Sequence, residues 1–374
     1  MIYRDFTAVL EQKINKGKVL LLIGPRQVGK TTLIRTLLTN KNYLFLNGDD
    51  SEIVEILSNA NTETLRNIIA NYEYVFIDEA QRIPNIGLKI KIISDLFKNV
   101  QVLVSGSSVL DINAMTQEPL TGRKFEYNLL PISWNEFEKH VGYITAQQQL
   151  ELRLVYGMYP DVLNHFGNEV EILKNLTSSY LYKDILAMSM VRKPEALEKI
   201  LRALAYQVGA EVSYNEIAQL VGVDKNTVSN YIDLLEKTYV IFTLHSYSKN
   251  LRNEIKNNRK IYFYDNGIRN MIIGDFTSFI LRQDKGALWE NFMISERKKN
   301  LNLNQSLAKP YFWRTTAQQE IDYIEVSADG IDAFEFKWQT NRKVKIPKSF
   351  ENAYDVNFKA IDKSNFRTFV NKMQ

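Results

Sequence analysis

The sequence predicts an α/β fold that begins with a mainly parallel sheet, continues through a helical region and ends in a smaller α/β domain. Three observations lead to this prediction: a glycine-rich loop between an apolar run and a helical pattern, two helical segments joined by a glycine turn, and C-terminal strands that carry carboxylates. A chain of 374 residues is long enough for two or three domains. We place the boundaries at 1–145, 146–280 and 281–374.

The composition is that of an ordinary folded protein, with 45% hydrophobic and 24% charged residues. Cysteine is absent, which excludes a disulfide framework and a Cys-type zinc site and predicts a cytoplasmic location. No apolar run approaches the roughly 20 residues that a membrane span needs. The N-terminus also lacks the apolar stretch of a signal peptide. We therefore expect no membrane association.

A glycine-rich loop, GPRQVGKT, follows the apolar run KVLLLI and precedes apolar residues at helical spacing. Such a loop points its backbone N–H groups at phosphates, and the helix N-terminus favours the same negative charge. Lys30 is expected at the β- and γ-phosphates of ATP, and the Thr31 hydroxyl on Mg²⁺. The predicted nucleotide contacts of the loop are Gly24, Pro25, Arg26, Gln27, Val28, Gly29, Lys30, Thr31 and Thr32.

A second apolar run, Val75–Ile77, ends in the acid pair Asp78 and Glu79. Asp78 is predicted to bind Mg²⁺, and Glu79 to orient the attacking water as a general base. Because this pair favours water as the phosphoryl acceptor, the sequence predicts an ATPase with Walker A and Walker B motifs rather than a small-molecule kinase.

Polar residues follow two further predicted strands. Ser105 and Ser107 lie at the end of the segment Gln101–Leu110, where either a γ-phosphate sensor or simple turn chemistry is expected. Arg123 follows Gly122 in a predicted loop. Its guanidinium is predicted to stabilise charge during phosphoryl transfer, in cis or in trans, and a surface or subunit contact is the alternative.

The middle region contains a helix–turn–helix pattern within Glu211–Leu244. Ser213 begins the first helix, Gly222 makes the turn and Asp224 caps the second helix. A β-wing and the basic run Lys249–Lys260 follow, which together predict a winged helix. It is expected either to bind DNA, with its cations on phosphates, or to contact protein. The second helix presents outward the polar residues Lys225, Asn226, Thr227, Ser229 and Asn230.

The C-terminal segments read in the order α-β-β-β-α-β. Glu290 lies on the helix, Asp322 on the second strand, and Glu335 and Lys337 on one face of the third. Carboxylates suit Mg²⁺, and the lysine would position a water and offset phosphate charge. The pattern predicts a PD-(D/E)xK nuclease-like fold with Asp322, Glu335 and Lys337 catalytic and Glu290, Asp322 and Glu335 binding metal. The alternative is an ordinary cross-strand pattern without catalysis.

Together these segments resemble bacterial and archaeal AAA+-class P-loop ATPases with a C-terminal domain of uncharacterised function. The resemblance is carried by GPRQVGKTT, VFIDEAQRIP, VSGSS, LTGR with LLPISWNEF, YFYDNGIRN, LWENF and EIDYIEV…FEFKW, in that order along nearly the whole chain. It implies an AAA+-like ATPase domain, a winged helix and a nuclease-like domain. At the nucleotide it implies Lys30, Thr31, Asp78, Glu79 and Arg123, and at the second site Glu290, Asp322, Glu335 and Lys337.

The leading hypothesis is a Mg²⁺-dependent ATPase that acts on or near DNA. One alternative is an ATP-driven switch whose nuclease-like domain is only a scaffold. The other is an AAA+ remodeller that works on protein as a ring. The sequence does not determine whether the chain forms a homo-oligomer, whether it binds a protein partner, or which DNA sequence it recognises.

Overall fold

The computed structural model describes residues 1–107, 119–178, 185, 191–248, 258–315, 317–340 and 344–371. The chain forms two compact units. The first comprises residues 1–131 with 237–239, and the second comprises 132–236 with 240–374. Across the described ranges, no helix is both long and apolar enough to cross a membrane.

The first unit is built on a parallel five-stranded sheet with the order β2-β3-β4-β1-β5. Its strands are β1 (Val19–Ile23), β2 (Tyr43–Asn47), β3 (Tyr74–Asp78), β4 (Gln101–Gly106) and β5 (Lys124–Asn128). Its helices are α1 (Phe6–Glu11), α2 (Lys30–Leu37), α3 (Ser51–Asn59), α4 (Thr62–Ile69) and α5 (Ile86–Leu96). The predicted parallel sheet is confirmed.

The three central strands are buried along their whole length, which explains their continuous apolar sequences. Their register brings the carboxyl ends together: Leu22 pairs with Ser105, and Ile77 pairs with Val104. The loop after β1 and the acid pair at the end of β3 therefore lie at the same edge of the sheet. This is the edge where parallel α/β sheets bind ligands.

The second unit begins with a helical region. Its helices are α6 (Trp134–Val141), α7 (Tyr143–Tyr156), α8 (Pro160–Asn164), α9 (Glu169–Leu176), α10 (Pro194–Tyr206), α11 (Tyr214–Val221) and α12 (Lys225–Lys237). Gly222 has a φ of 77° and ends α11, as a glycine turn requires. Asp224 accepts a hydrogen bond from the Thr227 backbone at 2.9 Å, which caps the start of α12. The two helices and their turn thus follow the predicted spacing.

A six-stranded mixed sheet follows, with the order β11-β10-β9-β8-β6-β7. Its strands are β6 (Ile241–Ser246), β7 (Arg259–Phe263), β8 (Lys309–Arg314), β9 (Glu320–Ser327), β10 (Gly330–Phe336) and β11 (Val356–Ile361). The remaining helices are α13 (Asn266–Ile273), α14 (Lys285–Leu303), α15 (Lys348–Ala353) and α16 (Phe366–Val370). From α14 to β11 the elements follow the order α-β-β-β-α-β.

The segment predicted as a β-wing is part of a larger sheet. Strands β6 and β7 do form an antiparallel pair, but β6 also pairs in parallel with β8, so the hairpin is the edge of the C-terminal sheet. The physical reason is burial, because most side chains of both strands are covered and a solvent-exposed wing would leave them in water. Of the basic run that follows, residues 249–257 lie outside the described part of the chain.

The core of the second unit is rich in aromatic side chains that pack on α14. Trp289 is fully buried, and its ring lies 5.2 Å from that of Trp338 and 5.5 Å from that of Phe366. Trp134 packs against Phe292 and Phe366 from the start of the unit. These edge-to-face pairs bury large apolar areas and hold α14 in the middle of its unit.

Candidate functional site

The glycine-rich loop connects the buried β1 to α2. Gly24 has a φ of 156°, and a Cβ atom there would lie 2.0 Å from the Leu129 carbonyl oxygen, so no larger residue fits. Gly29 has a φ of 93° immediately before α2, where glycine is favoured. The loop therefore packs closely on the segment after β5 and presents the helix N-terminus.

Lys30, the first residue of α2, is 5% exposed. Its ammonium donates to the carbonyl oxygens of Gly24 at 2.8 Å and Pro25 at 2.7 Å, both in the same loop. Burial lowers the pKa of Lys30 to about 8, although the carboxylates of Glu79 and Asp78 act in the opposite direction. The Lys30 ammonium is therefore a buried cation held against the loop backbone, at the helix N-terminus that favours a phosphate.

Thr31 and Asp78 come together from α2 and β3. The Thr31 hydroxyl donates to the Asp78 carboxylate, with 2.8 Å between Oγ1 and Oδ2. The Ser105 hydroxyl donates to the other oxygen of the same carboxylate. Ser105 thus orients Asp78, and the oxygens of Thr31 and Asp78 form the hard ligand pair that Mg²⁺ prefers.

Glu79 follows β3 in the left-handed conformation, with a φ of 48°. Its carboxylate accepts a hydrogen bond from the Gln81 amide nitrogen at 2.5 Å. The same nitrogen donates to the Ser107 hydroxyl at 3.0 Å. Ser107, which the sequence predicts as a γ-phosphate sensor, is therefore linked to Glu79 by hydrogen bonds through the Gln81 amide nitrogen. Sequence reasoning missed Gln81, although it stands two residues after the predicted base.

Arg4 is a second residue that sequence reasoning missed. It is 8% exposed and donates to the Val28 carbonyl oxygen at 2.6 Å and to the Leu130 carbonyl oxygen at 2.7 Å. The guanidinium fork thereby ties the glycine-rich loop to the segment after β5. No local motif marks such a residue, because its partners are backbone atoms far along the chain.

Arg123 lies elsewhere in the first unit. Its carbonyl oxygen accepts a hydrogen bond from the Val19 amide at 2.9 Å. Arg123 therefore lies just before β5, next to the first residue of β1. The glycine-rich loop leaves β1 at the other end, roughly 13 Å away along a strand of this length. The Arg123 side chain pairs with Asp95 at 2.9 Å. This placement contradicts the predicted contact of Arg123 with the nucleotide of its own chain and leaves a contact in trans as a prediction.

The four residues predicted for the second site lie near one another in the second unit. The β9–β10 register pairs Tyr323 with Phe334, and its continuation places Asp322 opposite Glu335. Lys337 donates to Glu335 at 2.7 Å, in keeping with the predicted common face. Burial, together with the charges of Glu290 and Glu335, raises the pKa of Asp322 well above its ordinary value.

Lys260, on β7, lies among these carboxylates and was missed by the sequence reasoning. It is 1% exposed, and its ammonium contacts Glu290 at 3.1 Å and also Glu320. The Tyr262 hydroxyl donates to the same Glu290 oxygen at 2.6 Å. Burial acts to lower the pKa of Lys260, but Glu290 and Glu320 outweigh it and hold the pKa above its ordinary value. Glu290 and Glu320 therefore share the buried Lys260 ammonium.

The predicted metal ligands Glu290, Asp322 and Glu335 do not fit a metal ion in this arrangement. Among the residues that the structure describes, no group of three or more His, Cys, Asp or Glu side chains could hold one. Glu290 is engaged by Lys260 and Tyr262, and Asp322 accepts from the Phe336 backbone at 2.8 Å. The described geometry brings these side chains together without forming a divalent-cation site.

The polar residues predicted to face outward on α12 do so. Lys225, Asn226, Ser229 and Asn230 are exposed, and Thr227 is half-buried, while Val228, Ile232 and Leu235 are buried. The helix is therefore amphipathic, with a polar face that is available to a partner.

Comparison with protein families divides the chain into three matched regions. Residues 16–138 match the family described as "AAA domain". Residues 147–278 match "Domain of unknown function (DUF8612)", and residues 285–368 match "Domain of unknown function (DUF4143)". The first match covers the glycine-rich loop and the acid pair.

Similar whole proteins include an uncharacterised protein of Mycobacterium tuberculosis, 29% identical over 331 residues, which are 87% of this chain and 71% of that protein. An uncharacterised protein of Haemophilus influenzae is 26% identical over 344 residues, or 87% of this chain and 81% of that protein. Among solved structures, a Walker-type ATPase of Pyrococcus abyssi aligns with a TM-score of 0.53 and 15% identity, covering 73% of this chain and 96% of that one. The first unit therefore has the fold of a P-loop ATPase.

Proposed function

We propose that this protein binds ATP with Mg²⁺ and hydrolyses it to ADP and phosphate. The observation that carries the proposal is the convergence of Lys30, Thr31 and Asp78 at one edge of the parallel sheet, beside Glu79. Lys30 would hold the β- and γ-phosphates, and Glu79 would accept a proton from the attacking water. The AAA-domain match over residues 16–138 supports the same conclusion.

Magnesium belongs to the proposal because Thr31 and Asp78 offer it an alcohol and a carboxylate oxygen. The ion would bridge phosphate oxygens and offset the charge that develops during transfer. Ser105 would keep the Asp78 carboxylate in the orientation that the ion requires.

Steady-state phosphate release with and without Mg²⁺ tests the proposal. Lys30→Ala should abolish hydrolysis because the phosphate contact is lost, and Glu79→Gln should lower kcat at least about 100-fold because the general base is lost. Lys41→Ala, at a half-exposed lysine beyond α2, should hydrolyse like the wild type. Equal rates in the wild type, Lys30→Ala and Glu79→Gln would refute the assignment.

A second candidate function is ATP-controlled binding of DNA through α11 and α12. It is favoured by the exposed polar face of α12, where Lys225 and Asn226 lie in the first turn. Anisotropy of labelled duplex DNA, measured with and without ATP at several salt concentrations, tests it. Lys225→Ala with Asn226→Ala should weaken binding, while Lys199→Ala on α10 should not. Contact with a protein partner, as a switch or a remodeller, is the outcome favoured if no DNA binds.

DNA cleavage is not part of the proposal, because Lys260 already pairs with Glu290, one of the predicted metal ligands, and with Glu320. The catalytic roles of Asp322, Glu335 and Lys337 stay predictions from the sequence. Incubation of linear and circular DNA with Mg²⁺ or Mn²⁺, beside Asp322→Ala and Lys337→Ala, tests them. Cutting by the wild type that both variants lose would restore the nuclease hypothesis.

A further inference from the structure

Gln81 occupies an unusual place in the first unit. It lies in the 3-10 turn Ala80–Arg82, directly after Glu79. Its amide nitrogen donates to the Glu79 carboxylate at 2.5 Å and to the Ser107 hydroxyl at 3.0 Å. One side-chain amide thus joins the proposed general base to a residue that follows β4.

The oxygen of the same amide is buried and has no hydrogen-bond partner among the described residues. A buried acceptor without a donor costs free energy, so it calls for an explanation such as a catalytic role. The assignment of the two amide atoms is fixed by chemistry, because a carboxylate can accept from the nitrogen but would repel the oxygen. Since the amide nitrogen and oxygen of Gln81 are bonded to the same carbon, the unpartnered oxygen lies close to the Glu79 carboxylate.

We infer that Gln81 is a positioning residue for ATP hydrolysis, with its amide nitrogen fixing Glu79 and its amide oxygen accepting a hydrogen from the attacking water. The inference rests on the proposed ATPase function and extends it. A water molecule has two hydrogens, and two acceptors are needed to fix its orientation. Glu79 supplies one acceptor and Gln81 the other.

The reaction balances with these two residues. The water oxygen forms a bond to the γ-phosphorus, and the bond from that phosphorus to the bridging oxygen breaks, leaving its electron pair on ADP. One water proton passes to the Glu79 carboxylate, while the other hydrogen stays bonded toward Gln81. Gln81 gains and loses no proton, so its contribution is orientation alone.

Three variants of the full chain test the inference: Gln81→Ala, Glu79→Gln and the double variant. Gln81→Ala should lower kcat by at least about tenfold, because the water loses one of its two acceptors. The Kd for a non-hydrolysable ATP analogue should change less than about twofold, since the hydrogen bonds of Gln81 go to Glu79 and Ser107 rather than to Lys30 or Thr31. The double variant should hydrolyse no more slowly than Glu79→Gln, because residues that act as one unit are not additive.

Gln12→Ala is the matched control, since Gln12 is exposed directly after α1 and its replacement should leave all values unchanged. Thermal unfolding checks that Gln81→Ala folds, and Gln81→Asn provides a second variant with a shorter amide that should lose most of the rate. A kcat for Gln81→Ala within twofold of the wild type, or above it, would overturn the inference while leaving the ATPase proposal intact. Additive losses in the double variant would overturn it as well. A folded wild type that hydrolyses no ATP would overturn both.

Discussion

The Thr31 hydroxyl and the Asp78 carboxylate are 47 positions apart in the sequence and 2.8 Å apart in the structure. One lies in the first turn of α2 and the other at the end of β3. This pair converts two separate motifs into one oxygen-rich site beside Lys30, and Ser105 completes it by bonding the second carboxylate oxygen.

Loss of the Ser105 hydroxyl should weaken the binding of magnesium, although Ser105 acts on the ion only through Asp78. In Ser105→Ala the Asp78 carboxylate loses its orienting donor, so the Mg²⁺ concentration for half-maximal ATP hydrolysis should rise about 10- to 100-fold. A magnesium titration at saturating ATP measures this. Thr31→Ser, which keeps its hydroxyl, serves as the control and should stay near the wild-type value. An unchanged titration in Ser105→Ala would remove Ser105 from the site.

Nucleotide affinity should depend on pH through Lys30. Burial lowers its pKa to about 8 in the free protein, so the ammonium that attracts phosphate is progressively lost above that pH. ATP binds the protonated form, and the Kd should therefore increase as pH rises from 7.5 to 9.5, approaching tenfold per pH unit at the upper end. Calorimetric titrations across this range, each with a check of folding, measure the effect. A Kd that does not change with pH would contradict the buried, phosphate-binding role.

Arg4 should stabilise the nucleotide-binding loop through its hydrogen bonds to the backbone. Arg4→Met keeps much of the side-chain volume but leaves the carbonyl oxygens of Val28 and Leu130 without these donors. The free energy of unfolding should fall by about 2 kcal/mol, and ATP affinity should fall with it. Urea denaturation and ATP titration measure the two effects. Arg35→Met, at the exposed Arg35 of α2, is the control and should lose less than about 0.5 kcal/mol.

Lys260 should act as the internal cation of the C-terminal sheet. Lys260→Met leaves Glu290 and Glu320 without their buried partner, so the free energy of unfolding should fall by about 3 kcal/mol. Mg²⁺ or Mn²⁺ should raise the Tm of this variant and leave the wild type unchanged relative to EDTA, because Glu290 loses its Lys260 ammonium in the variant and keeps it in the wild type. Lys199→Met is the exposed control.

Stabilisation of the wild type by a divalent cation would support the predicted metal site. A wild-type Tm that rises with Mn²⁺, and loses this response in Asp322→Asn, would show that a divalent cation displaces Lys260. The predicted metal site at Glu290, Asp322 and Glu335 would then stand. To separate this from the nucleotide site, the measurements should be made without ATP and repeated in Asp78→Asn.

The sequence was sufficient for features that depend on local spacing. The strand–loop–helix around Lys30, the acids after β3 and the glycine turn at Gly222 each depend on residues within one short segment, where hydrophobic period and turn chemistry are decisive. The parallel sheet follows from the same local pattern because helices separate its strands.

Features that depend on distant pairing could not be predicted. The pairing of β6 with β8 turns a predicted wing into the edge of a sheet, and nothing within either strand specifies that partner. Lys260 read as part of a basic surface run, yet its neighbours Glu290 and Glu320 come from elements that lie far along the chain. Arg123 was considered for the nucleotide site because it lies in a predicted loop, with a surface or subunit contact as the alternative, whereas the strand register places it at the end of β1 away from the glycine-rich loop.

Binding of ATP–Mg²⁺ measured by calorimetry is the most direct test of the central claim that the loop around Lys30 holds a triphosphate. The wild type and Glu79→Gln should both bind ATP at one site per chain with similar affinity, because Glu79 acts on water rather than on phosphate. Lys30→Ala should show no binding at the same concentrations. A folded wild-type protein that takes up no ATP, or a Lys30→Ala variant that binds as tightly as the wild type, would contradict the account.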